Sequence, residues 1–312
     1  MSDFWRKLSK ALGINYTWWH WRWINFKRRL AGSFSTDTNV FRHLRSGQKI
    51  CRNCGALNAP GERRCYVCGS RLPSSTANFL YKVFGLVAPG VLPVTGFLVT
   101  AIVLDFLYQV LTTGGRALLS PGAGTLIRSG ALYSGLVAAG QWWRLLTAVF
   151  VHIGLIHLAF NVIALVIVSK FLESELGASR YLSVFLLTGL AGSAASYALH
   201  TRVLSAGASG AIFGLIGFAI PYFGRQHAFR ARQIRALMIR WGIYAFVFGL
   251  LAGADNFAHG GGFVAGLLLG ANMEIRADER RRRDPLWKAL AWILGLAVVA
   301  SFVMLIRTPV PL

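Results

Sequence analysis

The chain has 312 residues, 55% of them hydrophobic, and its mean hydropathy is clearly positive. That excludes an ordinary soluble domain and predicts a polytopic membrane protein with a soluble appendage. A net charge of +22, from 33 Lys and Arg against 11 Asp and Glu, does not predict a nucleic-acid partner, because the basic residues cluster at the ends of apolar runs.

No cleavable signal peptide is expected, since no uninterrupted apolar core follows Met1 to Lys10. Residues 1–50 form a basic tail and linker. Trp18, Trp19, Trp21 and Trp23 precede Lys27, Arg28 and Arg29, a mixture that suits a membrane interface. The alternative is a tail that packs on the neighbouring module.

All four cysteines lie in residues 51–72, as Cys51-Arg52-Asn53-Cys54-Gly55 and Cys65-Tyr66-Val67-Cys68-Gly69. Four thiolates suit tetrahedral zinc, and each glycine allows the tight turn that brings amides toward sulfur. Two disulfides are the alternative and need an oxidising compartment. The basic flanks favour the cytosol, and so a structural zinc in a module resembling a small zinc ribbon.

Apolar spans are predicted near 93–112, 148–171, 180–200, 208–223, 235–253, 257–275 and 286–306, with 79–92 as an interfacial lead-in. With the N-terminus in the cytosol, Lys170, Arg225, Arg230, Arg232, Arg235 and Arg280 to Arg283 all fall inside, as the positive-inside rule requires. The C-terminus then ends outside after a seventh span. Residues 114–147, which carry Trp142, Trp143 and Arg144, are too apolar for a solvated loop and are expected as a half-embedded hairpin in the outer leaflet.

The run opening at Ser205-Ala206-Gly207-Ala208-Ser209-Gly210 is too short to cross a bilayer. From Arg225 back to Ser209 a helix climbs only about 24 Å, against a hydrocarbon core of about 30 Å. Ser209 therefore sits at a helix N-terminus just below the outer face. Counting back from Arg276 puts His259 at about the same height. A base beside a hydroxyl is what a serine nucleophile needs, and an intramembrane histidine is costly enough to suggest function. Small-residue packing through Gly210, Gly214, Gly262, Gly266 and Gly270, with Ser and His as interhelical polar groups, is the bland alternative. His157 and Asn161, four apart in the second predicted span with His152, share a helix face near the same level.

Taken together, Trp143-Arg144, His152-x₄-His157-x₃-Asn161, Gly207-Ala208-Ser209-Gly210 and Ala258-His259-x₂-Gly262-x₃-Gly266 resemble the motifs of the rhomboid intramembrane serine proteases, in the same order, over about residues 90–275. The resemblance implies an all-α six-helix core (79–275) with an additional C-terminal helix (286–306). It implies Ser209 as nucleophile and His259 as base, without a third acid. His157, Asn161 and the Ser209 N–H would form the oxyanion hole. His152 and Arg144 would support the site and its loop. Phe213 stands where the family often has Tyr and would keep the stacking on the base. Gly262 and Gly266 would let two helices approach closely.

The activity so implied is cofactor-free endoproteolysis of single-pass transmembrane proteins, with the active site toward the outer side of a bacterial cell membrane. A cytosolic partner for the zinc module is compatible with this. A catalytically idle client-binding scaffold is the alternative function, and the retained Ser209 and His259 argue against it. A transporter is disfavoured, because the polar residues lie near one face rather than at the midplane.

Overall fold

A computed structural model describes residues 49–50, 57–59, 61–67, 69, 71–72, 93–200 and 203–308. The chain divides into two compact units, Met1–Val83 and Phe84–Leu312. In the first, strands β1 (Lys49–Ile50) and β2 (Leu57–Asn58) pair antiparallel, with Ile50 opposite Leu57. An isolated antiparallel bridge joins Arg64 to Arg71.

The second unit is helical. Helix α1 (Pro93–Thr113) is followed by a 3₁₀ turn at Gly115–Leu118, then α2 (Ala123–Ser129), β3 (Leu132–Tyr133), α3 (Ser134–Ala138) and α4 (Arg144–Thr147). The longer helices come next: α5 (Gly154–Leu176) and α6 (Ala178–Leu199), then, after the short strand β4 (Leu204–Ser205), α7 (Ser209–Gly224), α8 (Phe229–Leu251), α9 (Asn256–Asn272) and α10 (Ala277–Arg307). Among the described residues five helices are long and apolar enough to cross a membrane: α1, α5, α6, α8 and α10. The shorter α7 is also apolar.

Helix α7 is the axis of this unit. Gly210 through Ala219 are buried on every face of it, and a helix apolar all round belongs in an interior. Leu165 of α5, Phe185 of α6 and Leu215 and Phe218 of α7 meet in one core. Its 16 residues rise about 24 Å. Ser209 therefore stands well away from Arg225, whose guanidinium closes the far end by donating to the carbonyls of Gly270 (2.7 Å) and Met273 (2.6 Å) of the α9 terminus.

Four expectations need correction. The second span does not begin at 148. Gly154 has φ +79° and a Cβ there would lie 2.6 Å from Leu119 O, so the chain turns at this residue and α5 starts there. His152 consequently precedes the helix instead of lying within it. Residues 114–147 are not a simple hairpin but a chain of short helices, with β3 paired to β4. Helix α8 begins at Phe229, before the expected 235, because arginine is a good helix former and its stem can run along apolar surface.

Helix α10 also starts earlier than 286. Its basic end is tied down by Arg180 Nη1 to Asp284 Oδ1 (2.7 Å) and by Arg283 Nη1 to Glu274 Oε1 (3.0 Å). Farther along, Phe302 meets Phe150 edge to face at 5.8 Å.

Candidate active site

Ser209 is the first residue of α7, and His259 lies in the first turn of α9. Their separation in sequence is closed by packing: His259 Nε2 is 2.8 Å from Ser209 Oγ. The Phe213 ring, one turn along α7, stacks on the imidazole with centroids 4.3 Å apart and planes 18° from parallel. His259 and Phe213 are both buried.

The helix pair meets backbone to backbone. A Cβ on Gly262 would lie 2.0 Å from Gly210 O, and one on Gly266 would lie 2.0 Å from Gly214 O. No other residue type fits there, so these glycines fix the register that brings the serine and the histidine together.

His157 and Asn161 come from the first two turns of α5. The backbone N–H of Ile153 donates to His157 Nδ1 at 3.2 Å. That leaves the ring proton on Nε2, and this edge faces Gly207, where a Cβ would be 3.1 Å from Nε2 and 3.8 Å from Ser209 Oγ. Gly207 has φ +136° and donates its N–H to Ala148 O at 2.9 Å. Asn161 Nδ2 donates to His157 O at 3.0 Å, while its Oδ1 is buried without a partner among the described residues. The structure thus brings His157 beside Ser209 but does not join Asn161 to it by a hydrogen bond. His152 is fully buried, holds Phe150 O through Nδ1 at 3.0 Å, and sits 5.3 Å from the His157 ring.

Arg144 is buried and organises the preceding loop. Its Nε donates to Gln141 Oε1 (2.7 Å) and its Nη1 to the carbonyls of Ile127 (2.7 Å) and Ala131 (3.1 Å). Burial lowers its pKa to about 10, which still leaves it charged at neutral pH. Trp143 Nε1 is buried without a partner among the described residues.

A hydroxyl at a helix N-terminus, an imidazole 2.8 Å away and a second histidine edge near the same hydroxyl have the geometry in which a serine can act as a nucleophile, with one imidazole as base and the other as anion donor. Residues 139–274 match the Rhomboid domain. The chain is 37% identical over 180 residues to "Rhomboid protease GluP" of Bacillus subtilis, covering 57% of this chain and 34% of that protein. It is 36% identical over 162 residues to "RHOMBOID-like protein 1" of Arabidopsis thaliana, covering 51% and 42%. It is 34% identical over 151 residues to "Inactive RHOMBOID-like protein 8" of the same plant, covering 47% and 43%. The chain spans about a third to a half of the length of these relatives. These similarities support the rhomboid family, and with the apolar helices they describe a multi-pass membrane protein.

The rhomboid match leaves the cysteines outside it. Cys51, Cys54 and Cys68 lie outside the described residues. Cys65 is buried, and among the described residues no cluster of three or more metal-ligating side chains occurs.

Sequence reasoning missed a set of residues at the start of α9. Asp255 caps that helix, accepting from Ala258 N at 3.0 Å and from Ser196 Oγ. Gly249 of α8 flanks the imidazole of His259, and the Asn256 Oδ1 lies beside the same glycine. An Asp four residues before a histidine that opens a helix is an N-cap signal, and it was legible in Asp255-Asn256-Phe257-Ala258-His259.

Proposed function

We propose that this protein is an intramembrane serine endopeptidase that cuts transmembrane segments of single-pass membrane proteins. The observation that carries this reading is the 2.8 Å contact between Ser209 Oγ and His259 Nε2. Ser209 Oγ attacks the scissile carbonyl carbon and its proton passes to His259 Nε2. The tetrahedral oxyanion is held by His157 Nε2–H, the Ser209 backbone N–H and, after rotation away from His157 O, Asn161 Nδ2. His259 then protonates the leaving amine; water, deprotonated by His259, attacks the acyl carbon, the C–Oγ bond breaks, and His259 returns that proton to Ser209 Oγ. No cofactor enters these steps. His152, Trp143 and Arg144 support the loop and the His157 side of the site, Phe213 holds the base, and Gly207 gives access to the oxyanion.

Orientation follows the basic residues, with Arg225 and Arg280 to Arg283 in the cytosol together with the N-terminus, and the dyad toward the outer side. The second reading, an idle client-binding scaffold, is favoured by one observation, the similarity to a relative named as inactive. Purified protein in detergent, incubated with a model transmembrane substrate, separates the two. Cleavage by the wild type and none by Ser209→Ala supports the protease. No cleavage by the wild type, with the fold intact and client binding retained, supports the scaffold.

The N-terminal cysteines fit a structural zinc site formed by Cys51, Cys54, Cys65 and Cys68. The paired strands β1 and β2 flank the first Cys-x-x-Cys in sequence, and the Arg64–Arg71 bridge flanks the second. Gly69 N donates to Cys65 O at 2.9 Å with a left-handed φ of +69°, the turn a metal-binding knuckle needs. Zinc there would stabilise a module too small to hold a core alone, available to a cytosolic partner.

A further inference from the structure

The mechanism above uses only one nitrogen of His259. A base that accepts a proton at Nε2 must carry its own proton on Nδ1, and the tautomer is set by what Nδ1 meets. His259 Nδ1 is buried and has no hydrogen-bond partner among the described residues. Asn256 Oδ1, one turn earlier on α9, is also buried and also has none. A donor and an acceptor, both orphaned, lie one helical turn apart on the same helix.

Both face one notch. Gly249 of α8 has no side chain, and a Cβ built on it would lie 3.4 Å from His259 Nδ1 and 3.5 Å from Asn256 Oδ1. The notch is thus bounded by the two unsatisfied polar atoms and by the glycine backbone. Asp255 does not fill the role, since its carboxylate is engaged by Ala258 N and Ser196 Oγ, with His200 Nδ1 3.8 Å away. Unpaired buried polar groups cost free energy, and here pairing the two with each other also fixes the ring.

We propose that Asn256 is a positioning residue for the dyad: its Oδ1 accepts a hydrogen bond from the Nδ1–H of His259 across the notch left by Gly249. The pairing holds the imidazole in the tautomer whose Nε2 lone pair points at Ser209. It also stabilises the imidazolium formed once the serine proton has moved, since both ring nitrogens then donate. Asn256 acts through His259 and touches no reacting atom. This inference rests on the protease reading for its kinetic consequences, but not for the hydrogen bond itself.

The test is a four-variant series in the full-length protein in detergent. Asn256→Ala removes the acceptor. Gly249→Ala leaves Asn256 in place and fills the notch with a methyl at ordinary contact distance, so it should fold with unchanged or raised Tm. Each is expected to lower kcat, by as much as about 10⁴-fold where the wrong tautomer is held, with KM little changed, and the double variant is expected to be no worse than the more severe single one. Asn256→Asp retains an acceptor and should recover much of the loss. Independently of cleavage, ¹⁵N NMR of the His259 ring should show a slowly exchanging Nδ1–H in the wild type and in Ser209→Ala, and a fast-exchanging one in Asn256→Ala. Wild-type kcat in both Gly249→Ala and Asn256→Ala, or a ring proton on Nε2 in the wild type, overturns the proposal. An uncleaved substrate with the protected Nδ1–H present sinks the protease reading alone.

Discussion

The Cα of Gly262 faces the carbonyl oxygen of Gly210 so closely that a Cβ would lie 2.0 Å from it. The same contact recurs at Gly266 against Gly214 O and at Gly270 against Phe218 O, the latter at 2.1 Å. Steps of four residues on both helices give a backbone-on-backbone rail, held by close packing and Cα–H···O contacts. The serine and the histidine lie at the end of it where both helices begin.

Gly262→Ala and Gly266→Ala should each force α7 and α9 apart. Overpacking of this kind costs about 1–3 kcal/mol. Thermal unfolding in detergent should show a lowered Tm for both, and cleavage should fall further than stability alone accounts for, because the Ser209–His259 contact opens. Gly260→Ala is the control: nothing lies within 4 Å of its Cβ, so its Tm and activity should match or exceed those of the wild type.

Under the proposed mechanism, removing an oxyanion donor is distinguishable from removing the nucleophile. Asn161→Ala is expected to lower kcat by about 10²–10³-fold and to leave measurable cleavage. Ser209→Ala and His259→Ala should abolish it nearly completely, with the double variant little worse than either. Labelling by a fluorophosphonate should persist in Asn161→Ala and vanish in Ser209→Ala.

Phe213 offers a graded test of how the base is held. Phe213→Tyr keeps the stacked ring and should keep activity. Phe213→Leu keeps most of the volume but loses the aromatic face, worth about 0.5–1.5 kcal/mol. Steady-state assays should therefore show kcat lowered about two- to tenfold, with no comparable change in KM.

If one zinc is shared by the four cysteines, full-length protein should hold one metal per chain, and Cys51→Ser with Cys54→Ser should release it. Cleavage of a detergent-solubilised substrate should survive both this variant and chelation, since the dyad lies outside the module. Four cysteines recovered as disulfides, without metal, would overturn the ligand assignment and the cytosolic N-terminus together.

The positions of Ser209 and His259 were legible because both open short apolar helices, so that counting back from Arg225 and Arg276 brought them to one level. The glycine spacing gave the partner helix for the same reason. What sequence could not give was anything carried by the loop. Arg144 binds carbonyls of Ile127 and Ala131, contacts with no periodic signature. The start of α5 depends on Gly154 meeting Leu119 O, a tertiary contact. Asn256 and Gly249 escaped notice because each is ordinary where it stands, and only the fold brings the Asn256 Oδ1 and the His259 Nδ1 to the same glycine.

Gly207 carries a consequence for how such chains are sorted. Its φ of +136° and a prospective Cβ 2.7 Å from His157 Cε1 mean that alanine at this position strains the backbone and pushes the histidine out of place. A glycine codon becomes an alanine codon by one nucleotide change, so a paralogue could fall silent with serine and histidine both intact. Reading activity from the dyad alone would count that paralogue as a protease. The residue two places before the serine therefore belongs beside the serine and the histidine in any test of whether such a chain retains the proposed activity.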